Sequence, residues 1–117
     1  MIEQLVSKVF AARNAAHLEH WATGSFAQHT ALGDFYDGVI DSIDKLVEAY
    51  QGNFGKIKVE ELEDDEKGDI LSMLDRDVVW INDHRTDIAN GVPALENIVD
   101  ELTGLYLSTI YKLRNLK

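Results

Sequence analysis

The stretch GSFAQHTALGDFYDGVIDSIDKLVEAYQGN, residues 24–53, decides the fold. Apolar residues recur through it at Leu32, Phe35, Tyr36, Val39, Ile40, Ile43, Leu46 and Val47, reaching Tyr50. Steps of three and four are the period of a helix that buries one face. Ser25 with Gln28 three residues later reads as a capping box that opens this helix, and Gln51-Gly52-Asn53 reads as its stop.

On the N-terminal side, Ile2, Leu5, Val6, Val9, Ala12 and Ala16 keep the same period, and His20 falls four residues further along that stripe. A first helix is therefore expected from about residue 2 to 21, with Gly24 breaking the pattern. So short a turn makes the first two helices antiparallel neighbours. On the C-terminal side, a third helix runs from about Asp69 through Ile70, Leu71, Leu74, Val78, Ile81 and Ile88 to a left-handed stop at Asn90-Gly91. Pro93, the only proline, opens a fourth that carries Leu95, Ile98, Val99, Leu102, Leu105, Tyr106, Ile110 and Leu113. Between the hairpins, about eighteen residues from Gln51 to Gly68 reach roughly 60 Å when extended, longer than a helix of this size.

The expectation is one all-α domain over residues 1–117: a ferritin-like four-helix bundle, two antiparallel hairpins joined by one crossover connection. The connection could instead fold back as a loop, and Val59, Glu60, Glu61 and Leu62 could form a short helix within it.

Composition narrows the function classes. A chain of 117 residues with 45% hydrophobic and 27% charged residues suits a single core. Without cysteine it forms no disulfide, no thiolate zinc site and no thiol nucleophile, so any metal must be held by nitrogen and oxygen. A formal charge of -10 repels phosphate backbones and disfavours nucleic acid. Lys112, Arg114 and Lys117 form a small basic end, which reads either as a weak nucleic-acid contact or as cations at a helix C-terminus. The acids Glu60, Glu61, Glu63, Asp64, Asp65, Glu66 and Asp69 read as a solvated loop or a fraying helix start. No apolar run reaches the ~18 residues of a membrane span, and Met1-Ile2-Glu3-Gln4 does not start a signal peptide, so the expected location is cytoplasmic.

One constellation carries chemistry. His29 lies in the first turn of the second helix, and Asp44 and Glu48 follow on that helix. At ~1.5 Å per residue His29 and Asp44 stand roughly 22 Å apart, too far for one site within one chain. Two copies laid antiparallel along this helix would bring the histidines of one to the carboxylates of the other, a mixed nitrogen and oxygen ligand set suited to iron or another divalent metal.

Read in order, His20-Trp21, Gly24, His29, Phe35-Tyr36-Asp37, Asp44 and Glu48 resemble the Dps family of mini-ferritins. The resemblance implies that His20 and His29 are nitrogen ligands, that Asp44 and Glu48 are oxygen ligands from a second chain, and that Trp21 sits beside the site. It further implies Fe(II) binding and oxidation by peroxide or oxygen, for iron storage or protection from oxidative stress, in a homodimer or a larger cage. The chain departs from the family where Gly33 stands four residues after the second histidine, a place where an acid is common.

The same residues also carry plainer readings. His20 on an apolar stripe can be a hydrogen-bonded core histidine, and Asp37, Asp41, Asp44 and Glu48 can be a solvated helix face. His17 can substitute as a ligand or be a half-exposed helix histidine, and His84 has no assigned role. Gly33 and Gly38 each cost about 1 kcal/mol in a helix, which close approach of a neighbouring helix would explain, whereas Gly104 marks a tight crossing or a tolerated weakness. Trp80, Tyr106 and Tyr111 read as core or interface aromatics. The competing function class is a non-catalytic helical oligomer that binds another protein.

Overall fold

The computed structural model describes residues 1–60 and 68–117. It contains four helices and, among the described residues, no strand: α1 Ile2–Ala22, α2 Phe26–Phe54, α3 Ile70–Ala89 and α4 Pro93–Asn115.

Each boundary has a local cause. The Ser25 hydroxyl accepts the Gln28 N–H at 3.2 Å and so satisfies one of the unpaired donors at the start of α2. The reciprocal half of the expected capping box is absent. The Gln28 side chain instead meets the Thr23 hydroxyl at 3.1 Å, and that hydroxyl accepts the Ser25 N–H at 3.2 Å. Gln51-Gly52-Asn53 does not stop α2, which continues to Phe54. A helical glycine costs only about 1 kcal/mol, and the extra turn brings Phe54 against Tyr50, with ring centroids 4.9 Å apart. The stop is Gly55 at φ +94°, a conformation closed to most side chains. The Asp69 carboxylate caps α3 by accepting the Ser72 N–H at 2.8 Å. At its other end Asn90 adopts the left-handed conformation, as the sequence predicts, and Pro93 occupies the first turn of α4.

Helix directions follow from paired positions. Phe35 meets Tyr106 and Lys45 meets Glu101, so α2 and α4 are antiparallel. Arg85 bonds Asp100 while Asp75 pairs with Arg114, so α3 and α4 are antiparallel as well. Lys8 lies over Trp80, while Ala15 and Leu18 lie beside Ile70 and Met73, which gives α1 and α3 the same relation. The α1–α2 pair is a hairpin, with His20 on His29 near the turn and Val6 beside Val47 at the far end.

The core is one cluster fed by all four helices, including Leu5 and Val9, Leu32 and Phe35, Leu74 and Ile81, and Leu102 and Tyr106. Among the described residues the one buried charged side chain is Asp77, which accepts a 2.9 Å hydrogen bond from the buried Tyr106 hydroxyl. Burial pushes the Tyr106 phenol well above its usual value, and the Asp77 carboxylate raises it further. No helix among the described residues is long and apolar enough to cross a membrane. The short helix expected over residues 59–62 is not seen at 59 and 60, and the rest of that expectation, with most of the acidic run, lies outside the described residues.

Candidate functional site

The three residues between α1 and α2 fold the chain back so tightly that His20 and His29 meet ring to ring. Their centroids are 3.6 Å apart and their planes differ by 19°. His20 Nδ1 lies 2.6 Å from the His29 carbonyl oxygen, and His29 Nδ1 lies 2.7 Å from the His20 carbonyl oxygen. A carbonyl only accepts, so in both rings Nδ1 carries a proton and donates it. The His20 carbonyl belongs to the last turn of α1, where no helical N–H is available to it, and the His29 side chain supplies that missing donor. The two histidines thus form a reciprocal clasp between the end of α1 and the start of α2.

Gly33 makes room for the clasp. A Cβ at that position would stand 3.2 Å from His20 Cε1 and 3.4 Å from its Nδ1. The residue that departs from the mini-ferritin pattern is the one that lets the His20 ring settle over the His29 carbonyl, one helical turn earlier. Gly38 admits Leu105 of α4, whose Cδ2 would be 3.3 Å from an added Cβ. Both glycines therefore serve helix packing within one chain. Around Gly104 there is nothing within 4 Å, so that glycine is a tolerated weakness.

The clasp sits within a longer aromatic ladder. Tyr36 stacks on His17 at 4.0 Å, and Arg13 lies over the Tyr36 ring at 5.3 Å. His17 leans on Trp21 at 4.5 Å, and Phe26 stands 6.5 Å from His29. The histidines are half-buried, whereas the two ends of the ladder protrude, Trp21 at 68% exposure and Phe26 at 82%. Residues 20–33 contain no Asp, Glu, Lys or Arg in a chain that is 27% charged. The protruding aromatics therefore sit on an uncharged segment of an acidic molecule. Trp21 was expected beside a metal site; Phe26 is legible only as a phenylalanine placed off the buried stripe, directly after a helix cap.

Asp44 and Glu48 are exposed and far down α2 from His29, as the along-helix spacing requires. With Asp34, Asp37 and Asp41 they give α2 an outward face of five acids. Among the described residues, no group of three or more His, Cys, Asp or Glu side chains is placed to hold a metal ion. The clasp itself sets a geometric condition on metal binding. A ligated ion lies in the plane of its imidazole at about 2.0–2.1 Å from the nitrogen. The planes of two stacked rings do not meet at such a distance, so His20 and His29 would have to rotate apart to share one ion.

The profile of DUF5856, described as a family of unknown function, matches residues 20–113. A protein of Enterobacteria phage T4, described as an uncharacterized 14.6 kDa protein in the mobD-ri intergenic region, is 29% identical over 114 residues. That alignment covers 95% of this chain and 86% of the phage protein. No solved structure matches. These findings overturn the resemblance to the Dps mini-ferritins, because the matched segment contains every residue on which it rested, His20 through Glu48, and falls in another family. Two histidines flanking a tight turn, followed by acids at helical spacing, are what a helical hairpin with a solvated outer face also presents.

Proposed function

We propose that this chain, which belongs to the family of unknown function DUF5856, is a helical binding module that engages another protein surface through the aromatic end where α1 meets α2. The observation that carries this reading is the pair Trp21 and Phe26, exposed yet fixed by the histidine ladder behind them. Buried anchors at protein interfaces are enriched in large rigid aromatics, and a preorganised side chain loses little entropy on binding. The absence of charge over residues 20–33 lowers the desolvation cost of covering that end. Photo-crosslinking tests the reading. A benzophenone amino acid at position 21 or 26 should yield one dominant adduct in cells, and the same group at the exposed Asn97 should not. Equal labelling from all three positions would defeat the proposal.

The helix register supports a finer description of the scaffold. With α1, α2, α3 and α4 antiparallel to their neighbours, α2 ends and α3 begins at opposite ends of the bundle. Opposite ends for the close of α2 and the start of α3 fit the connectivity of a ferritin-like bundle with one crossover.

A second reading keeps the metal. Donation from Nδ1 to a carbonyl is the arrangement that commonly orients a metal-ligating imidazole, and it leaves Nε2 of His20 and His29 as acceptors. With the two rings rotated apart, iron bound there would draw Asp44 and Glu48 from a second copy, and the ion would offset the repulsion between two acidic α2 faces. Anaerobic Fe(II) titration followed by air or peroxide tests it: saturable binding and ferric absorbance should both vanish in His29→Ala/Asp44→Ala. No binding by the unaltered protein removes this reading.

A further inference from the structure

We infer that the surface covering the aromatic end is a second copy of this chain, paired through a two-fold axis that seats Phe26 of each protomer in a pocket of the other. This rests on the binding role proposed for that end. The pocket lies on the same end of the bundle, at the junction of α1 and α3, has a volume of about 300 Å³, and is floored by Ala15, Leu18, Ala22, Ile70 and Met73. An apolar cavity of about 150 Å³ already admits a benzene molecule, so a phenyl ring fits. Trp21 lies between Leu18 and Ala22 in sequence, on the last turn of α1, with the pocket on one side and the His29–Phe26 end of the ladder on the other. Knob and hole therefore occur at one end of the bundle, on either flank of α1, so an isologous pair across that end makes each contact twice.

Charge and area agree with that occupant. The polar residues at the pocket rim are Glu19 and Asp69, and the segment that would enter, residues 20–33, brings no anion against them. Copies meeting along α2 would oppose five acids with five acids, whereas the aromatic end lets two molecules of charge -10 approach with their acidic faces apart. Two aromatics burying about 150 Å² or more each, with matching walls and two-fold doubling, remove roughly 1,200 Å² in total, the lower edge of a specific stable interface.

Sedimentation equilibrium on the full chain tests the pairing. The unaltered protein should be dimeric, and Phe26→Ser should raise the dissociation constant by about 1,000-fold, because the variant homodimer loses two interface anchors of about 30-fold each. Phe26 is exposed at the start of α2, so the helical circular dichroism should not change. Leu18→Lys closes the pocket from the other side and should dissociate the dimer equally. Mixing the two variants should restore a weak dimer, because the mixed pair keeps one of its two knob-and-hole contacts. A monomeric unaltered protein, a dimer indifferent to either variant, or a mixture no tighter than its components overturns the inference. If the protein is a monomer yet still crosslinks to a different protein from positions 21 and 26, the binding role survives and the identity of the partner falls.

Discussion

Substituting Gly33 by alanine measures how firmly the histidine clasp is held. In an open helical position the change is favourable by about 1 kcal/mol, through helix propensity alone. Gly104 is such a position, with no atom within 4 Å of an added Cβ, and serves as the internal reference. At Gly33 the new methyl group would press on the His20 ring at 3.2 Å. That ring has little room to retreat, because it is stacked on His29 at 3.6 Å and donates to the His29 carbonyl at 2.6 Å. Displacing it forfeits a hydrogen bond of about 0.5–1.5 kcal/mol and a ring contact of about the same size. The net effect is a loss of about 1 kcal/mol, and the two alanine variants should differ by about 2 kcal/mol. For a domain of this length, about 4 °C of melting temperature accompanies each kcal/mol, so their thermal unfolding midpoints should lie roughly 8 °C apart. Circular dichroism melts or urea titrations of both variants read this directly. Gly33→Ala melting at or above Gly104→Ala would refute the view that the clasp needs this glycine.

Three further outcomes follow from the fold. Tyr106→Phe removes the hydroxyl that bonds the buried Asp77 carboxylate and should destabilise the protein by about 1.5–3 kcal/mol in urea unfolding. Ser25→Ala deletes the acceptor for the Gln28 N–H at the start of α2 and should cost about 1 kcal/mol, with hydrogen exchange rising first in residues 26–29. The Arg85 guanidinium holds the Asp100 carboxyl below its ordinary value of 3.8, chiefly by hydrogen bonding. A carboxyl lowered in the folded state stabilises it above the unfolded value and loses that contribution as pH falls through the folded one. Stability of the unaltered protein should therefore drop more steeply below pH 3.8 than that of Arg85→Met, as followed by acid unfolding.

The four helices were legible because each buries a stripe that the 3.6-residue period exposes in the sequence, and because Ser25, Asp69, Asn90 and Pro93 are boundary residues with local mechanisms. The end of α2 was not, since Gly52 is only mildly unfavourable in a helix and the contact that extends the helix, Phe54 on Tyr50, depends on packing beyond the cap signals. The sequence marks His20 and His29 as candidate metal ligands, and spacing along α2 directs attention from them to Asp44 and Glu48. What places the rings together is the tight turn across residues 23–25, and contact across a turn has no periodicity to detect. Gly33 illustrates the same limit. From the sequence it is a missing acid or a generic close approach, whereas in the fold it is the space occupied by the His20 ring. Trp21 and Phe26 became informative only once their exposure was known, because an aromatic in a helix is buried more often than not.

Nitrogen-15 NMR of the histidine side chains at neutral to mildly alkaline pH tests the clasp most directly. Both His20 and His29 should carry their proton on Nδ1, with each proton correlated across its hydrogen bond to the carbonyl of the other residue. Either ring found in the Nε2-protonated form, or free to exchange between the two forms, would contradict the clasp and the fixed aromatic end that depends on it.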